Sequence, residues 1–185
     1  MITGERVALG PLRRDLAATY ARWINDPEIK TRLMMSGLMT PETEEAYLEE
    51  TMKASAGREP QAAAFTIYDR SDGEPIGTTA LMEINWRHRR ARFGIFLGER
   101  HGQGLGTEAT RLVLDWAFNL LGLANVLLEV LTDNERAIRA YERAGFKRLG
   151  VRRSAILGAG GELVDELLMD AVPGDFAGSV LAGGL

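Results

Sequence analysis

His101-Gly102-Gln103-Gly104-Leu105-Gly106-Thr107-Glu108-Ala109 constrains this chain more than any other stretch. It follows an apolar run, Phe93 to Leu97, and opens an amphipathic segment. Ala109, Leu112, Val113, Trp116 and Leu120 fall on one face of that segment, and Glu108, Arg111, Asp115 and Asn119 on the other. The pattern predicts a strand, a tight glycine turn, and a helix lying on a sheet. Glycines at 102, 104 and 106 let the backbone turn sharply and bring its N–H groups close to a bulky anion. The helix start adds unpaired N–H donors and a positive dipole end, which suit a phosphate or pyrophosphate. A glycine loop that only caps a helix would be spelled the same way.

The residues that are missing narrow the ligand. A nucleoside-triphosphate loop needs Lys and then Ser or Thr after its last glycine, but Gly106 is followed by Thr107 and Glu108. A dinucleotide fingerprint needs G-x-G-x-x-G and an acidic residue on a second strand about twenty residues on. Here the spacing is G-x-G-x-G, and that distance reaches only the end of the helix.

A second segment, Thr132-Asp133-Asn134-Glu135-Arg136-Ala137-Ile138-Arg139-Ala140-Tyr141-Glu142-Arg143-Ala144-Gly145-Phe146, follows the apolar run Val126 to Leu131. Thr132 and Glu135 have capping-box spacing, and Asp133 or Asn134 would serve equally as the N-cap. Ala137, Ile138 and Tyr141 share one face of a short helix. Gly145 suits a left-handed C-cap with Phe146 packed behind it.

Glycine loop, helix, apolar strand, then Asn134, Ala137, Tyr141, Gly145 and Phe146 at this spacing resemble the GNAT N-acetyltransferase superfamily. Within it the chain is most similar to the ribosomal-protein-alanine (Rim-type) and spermidine N-acetyltransferases. Glu83-Ile84-Asn85 and His88-Arg89-Arg90-Ala91, with Phe93 and Ile95 beyond, resemble the spermidine enzymes in particular. The likeness runs from residue 5 to 171 and is specific from 76 onward. His101 departs from the Arg, Gln or Trp that usually opens the family's loop.

The resemblance implies an α/β fold: a single GNAT-like domain with a mixed central sheet, splayed strands and flanking helices. It implies acetyl-CoA as co-substrate and no metal. The strand at 93–97 would splay from the strand at 126–131, so that pantetheine pairs with the backbone of Gly94, Ile95, Phe96 and Leu97. The pyrophosphate would sit on His101, Gly102, Gln103, Gly104, Leu105, Gly106 and Thr107. Asn134 would hydrogen-bond the coenzyme, or serve only as a helix cap. Tyr141 would be the general acid that protonates the leaving sulfur, a useful transfer between a phenol near pKa ~10 and a thiol near ~8.5. Glu83 is the candidate general base. It would be needed because only about one alkylamine in a thousand is neutral at pH 7.

The acceptor is expected to be a protein N-terminus, a polyamine or an amine-bearing antibiotic, in that order. The acidic residue that the spermidine enzymes carry after the first helix has no counterpart in Met34-Met35-Ser36-Gly37. Met34, Met35, Trp23 and Trp86 are candidates to line an acceptor pocket. A non-catalytic acyl-CoA sensor on the same fold is the alternative class.

Composition closes other routes. With no cysteine, the chain has no disulfide, thiol nucleophile or thiolate metal site, and two histidines leave little for a His-rich site. A net charge of −4 argues against a nucleic-acid partner despite the cluster Arg87, His88, Arg89, Arg90, Arg92. No signal peptide or membrane-spanning run is evident, so a cytoplasmic protein, possible as a homo-oligomer, is expected.

The predicted order is β-α-α-β-β-β-α-β-α-β-β. The first helix is expected from Asp15 to a stop near Asn25-Asp26-Pro27. The second, opened by Thr40-Pro41, is expected over 41–55 and carries Glu42, Glu44, Glu45, Glu49 and Glu50 as either a solvated face or an attractor for cations. The acetyltransferase domain is placed at 1–172 and a tail of small residues at 173–185.

Overall fold

Runs rich in Val, Ile, Leu and Phe form the strands, and the computed structural model describes residues 1–158 and 160–176. The strands are β1 (Ile2–Thr3), β2 (Val7–Pro11), β3 (Ala63–Asp69), β4 (Pro75–Asn85), β5 (Arg90–Leu97), β6 (Asn125–Leu131), β7 (Lys147–Leu157) and β8 (Leu163–Ala171). The helices are α1 (Ala17–Ile24), α2 (Pro27–Arg32), α3 (Pro41–Ala54), α4 (Leu105–Asp115) and α5 (Glu135–Ala144). One mixed sheet runs in the order β1-β2-β3-β4-β5-β6-β8-β7. Its neighbours are antiparallel except β5 and β6, which need α4 as a crossover.

That parallel pair creates the site. β5 and β6 match only at Arg90 with Asn125, Ala91 with Val126, and Arg92 with Leu127. β5 then continues to Leu97 on β4 alone, and β6 continues to Leu131 on β8 alone. Beyond the last shared pair the two strands part, and the backbone groups on their inner edges meet no strand.

The amphipathic face of α4 fills the space against the sheet, with Ala109, Leu112 and Val113 fully buried. A second cluster joins α1 to α3 through Tyr20, Trp23 and Leu48. The Tyr20 hydroxyl and the Thr66 hydroxyl are 2.5 Å apart, which satisfies both inside that cluster.

Two readings of the sequence change. A helix follows Asp26, where the sequence suggested only a helix end. The Asp26 carboxylate accepts from the N–H groups of Glu28 (2.9 Å) and Ile29 (3.2 Å), and Pro27 occupies the first turn. The single stop signal is therefore also a start signal. The α4 face also fails at its end, because a π-helical turn (Trp116–Leu120) shifts the phase. Leu120 is 41% exposed, while Ala117 and Phe118 go inward and Asp115, expected on the polar face, is 0% exposed. The tail placed at 173–185 opens with a 3-10 turn (Pro173–Asp175), and Phe176 packs on Phe118. Residues 177–185 of that tail lie outside the described residues.

Helix α3 is acidic, with Glu42, Glu45, Glu49 and Glu50 exposed. Glu44 points the other way: it is 3% exposed, and its Oε2 has no hydrogen-bond partner among the described residues. Burial pushes its carboxyl up to about 7. The folded chain thus holds this proton more tightly than the unfolded chain does between the ordinary 4.5 and about 7, so stability falls as pH rises through that window. Glu44→Gln is expected to remove this contribution. Urea denaturation of both proteins should show the variant's advantage widening from about pH 5 to about pH 8.

Candidate active site

The chain leaves β5 at Leu97 and turns back into α4 through the glycine loop. Gly98 lies against Trp23, where a Cβ would come within 2.1 Å of the indole. Gly102 and Gly104 hold φ of +78° and +80°, a region that strains any other residue, and Gly104 is the N-cap of α4. His101 closes the turn: its Nε2 lies 2.7 Å from the Leu97 carbonyl oxygen.

Two ionic braces hold this loop from outside. Glu108, in the first turn of α4, accepts from the backbone N–H of Arg6 (2.7 Å) and Val7 (3.2 Å). Arg6 in turn donates from Nε to Glu108 (3.1 Å) and from Nη1 to the Gln103 carbonyl (3.0 Å). On the other flank, Arg100 pairs with Asp69 and Asp72 at the β3–β4 turn. The Ser71 hydroxyl and N–H, together with Arg100, hold the Asp69 carboxyl down to about 2.

A cavity of about 350 Å³ fills the gap between β5 and β6. Gly94, Ile95, Phe96 and Leu97 form one wall, and His101, Gly102, Gly104, Gly106 and Thr107 form the loop end. Asn134 and Tyr141 contribute from α5. Gln103 and Leu105 do not line it: Gln103 is exposed and Leu105 is in the core. Asn134, not Asp133, caps α5, accepting from the Ala137 N–H at 3.3 Å.

Tyr141 stands edge-on to Phe93 (6.2 Å between ring centroids) and to Phe146 (5.9 Å). Burial alone pushes its hydroxyl up to about 12, so it keeps its proton at neutral pH. Glu83 sits at the bulge in β4, with φ of +52°. Its side chain is 68% exposed, does not line the cavity, and meets it only through Arg92 Nη1 at 2.8 Å. Arg92 does line the cavity and bridges to Glu129 of β6, which is 15% exposed. Arg152 lies 3.8 Å from the same carboxylate.

Helix α2 covers the mouth. Arg32 pairs with Asp133 (2.6 Å) and Glu28 with Arg136 (3.1 Å) across the gap. Of the suggested pocket hydrophobes only Met34 lines the cavity. Trp23 donates to Glu99 (3.0 Å) and Trp86 to the Pro60 carbonyl (2.9 Å). No residue of α3 reaches the cavity either.

A strand pair that parts over a glycine loop is where this chain meets known proteins. The acetyltransferase (GNAT) domain model matches residues 6–147. The chain belongs to the GNAT acetyltransferase family. It is 45% identical over 76 residues to the spermidine N(1)-acetyltransferase of Escherichia coli K12, a match spanning 40% of this chain and 41% of that protein. Over 177 residues it is 27% identical to the uncharacterized N-acetyltransferase p20 of Bacillus licheniformis, covering 94% and 97% of the two chains. Its fold is shared by RimJ of Mycobacterium smegmatis in complex with CoA-disulfide, at a TM-score of 0.85 and 20% identity, covering 97% and 90% of the chains. It is shared also by the Vibrio cholerae spermidine N-acetyltransferase in complex with CoA and spermine, at 0.82 and 23%, covering 92% and 97%.

Several residues of this GNAT site escaped the sequence reading. Glu129 had a signal, since it is the one carboxylate inside the apolar run Val126 to Leu131. Arg92 was hidden among the hairpin arginines. The Glu28–Arg136 and Arg32–Asp133 pairs join residues a hundred or more positions apart, and no local pattern announces them. If the braces preorganise the loop for the coenzyme's phosphates, Glu108→Ala should weaken coenzyme A binding about tenfold or more. Glu108→Gln, which keeps the Oε1 acceptor, should lose much less. Calorimetric titration with coenzyme A separates the two.

Proposed function

We propose that this chain is an N-acetyltransferase that moves the acetyl group of acetyl-CoA directly to a primary amine. The parting of β5 and β6 beyond Arg92 and Leu127 carries this reading, because it leaves a strand-wide gap edged by unpaired backbone. Such an edge suits the amide-bearing arm of the coenzyme. The glycine turn and the start of α4 suit its pyrophosphate. Gly94, Ile95, Phe96 and Leu97 would bind the arm, and His101 to Thr107 with Asn134 the phosphate end.

Acetyl-CoA supplies the thioester whose carbonyl carbon the amine attacks. A β5 backbone N–H at the gap polarises the carbonyl oxygen, where negative charge develops. Tyr141, fully protonated and facing the same gap, gives its proton to the sulfur as the C–S bond breaks. The burial that raises the phenol also raises a thiol beside it, so the two stay matched enough for transfer. Glu129 is the carboxylate that takes an N–H of the bound amine as the new C–N bond forms. Glu83 supports it from outside by sharing Arg92.

A protein N-terminus is the preferred acceptor. The polyamine reading is favoured by one observation, the 45% identity over 76 residues to the E. coli spermidine enzyme. An oligomer also belongs to the proposal, since the V. cholerae spermidine N-acetyltransferase has been described as dodecameric.

Tyr141→Phe is expected to lower thiol release from acetyl-CoA by about a hundredfold or more while coenzyme A binding is kept. Glu129→Gln should cost more in turnover than Glu83→Gln. Equal losses in both would contradict the role given to Glu129.

A further inference from the structure

On the transferase reading, the coenzyme would enter the gap from the glycine loop at the end of β5, and its reactive end would lie toward Phe93 and Tyr141, four residues back along the strand. An acceptor amine must approach from the region beyond, around Arg92, Glu129, Met82 and α2. The charges there are set against a polycation. Two carboxylates line the cavity, Glu28 and Glu129, against four arginines, Arg32, Arg92, Arg136 and Arg143. Neither carboxylate is free: Glu28 pairs with Arg136, and Glu129 lies between Arg92 and Arg152. Two further acids reach the lining arginines and are held by them, Glu83 by Arg92 and Asp133 by Arg32.

An amine with two or three positive charges needs a carboxylate for each, and every acid named here is already held by a guanidinium group. An amine carrying one charge next to a carbonyl oxygen fits better. Its N–H groups can meet Glu129 while Arg92, with its fork of donors, meets the oxygen. A peptide N-terminus has this arrangement, with the carbonyl one carbon from the nitrogen.

We propose that Arg92 is a specificity-determining residue, which neutralises Glu129 and Glu83 and so selects single-charge α-amino acceptors over polyamines. This rests on the transferase reading above. Met82 and Met34, which line the same region, supply an adaptable apolar surface for a first side chain.

The test compares kcat/KM for an alanine-initiated peptide and for spermidine, in wild type, Arg92→Gln and Arg92→Lys. Wild type should favour the peptide by about tenfold or more, and Arg92→Gln should move the ratio toward spermidine by a similar factor. Arg92→Lys keeps the charge and should hold most of the wild-type ratio. A wild type that favours spermidine, or a ratio unmoved by Arg92→Gln, overturns the proposal. Should Arg92→Gln fail to fold, the wild-type and Arg92→Lys ratios still decide it. If neither amine is acetylated, both acceptor classes fall and the proposal with them, while the transferase reading itself stands or falls on coenzyme A binding. Calorimetric binding of the two amines to the coenzyme A-loaded protein reads the selectivity separately.

Discussion

β5 and β6 exchange strand contacts only as far as Arg92 and Leu127, and the functional half of the molecule is organised by that limit. A sheet loses stability wherever backbone groups go unpaired, so the parting persists only because both strands are fixed from outside. β4 holds β5 through to Leu97, and β8 holds β6 through to Leu131. Helix α4 spans the crossover and packs its apolar face beneath the sheet. The gap thus lies where β5 is paired on β4 alone and β6 on β8 alone.

The same logic governs the glycine loop. Left-handed Gly102 and Gly104 make the turn possible, but they do not hold it still. The Arg6–Glu108 brace on one flank and the Arg100–Asp69–Asp72 cluster on the other do so, with Trp23 seated on Gly98. All of these contacts are far apart in sequence. A loop held in this way would meet a phosphate with its N–H groups already arranged, so less ordering would be lost on binding.

Much of the fold was legible because its signals are local. Ala109, Leu112 and Val113 announced α4, Asn134 and Gly145 bracketed α5, and Thr40-Pro41 opened α3. Reading failed where one signal had two meanings, as at Asp26-Pro27, or where a π turn changed the period before Leu120. At the site, the residues set by backbone and spacing were visible: the β5 edge, the loop glycines and Tyr141. The charged residues of the cavity wall, Arg92 and Glu129 among them, were not. Their roles depend on which strand edge faces the gap, and a bulge at Glu83 is enough to turn that side chain away. The resemblance to the spermidine enzymes suggested Glu83, whereas the topology puts Glu129 in the cavity.

The most direct test of the account is amide hydrogen exchange with and without coenzyme A. Gap-facing amides of residues 93–97 and the amides of residues 102–106 should slow strongly when the coenzyme is added, while the fully paired strands β3 and β8 change little. Protection spread evenly over the sheet, or absent from β5 and the glycine loop while coenzyme A binds, would contradict the claim that the parted strands are its binding site.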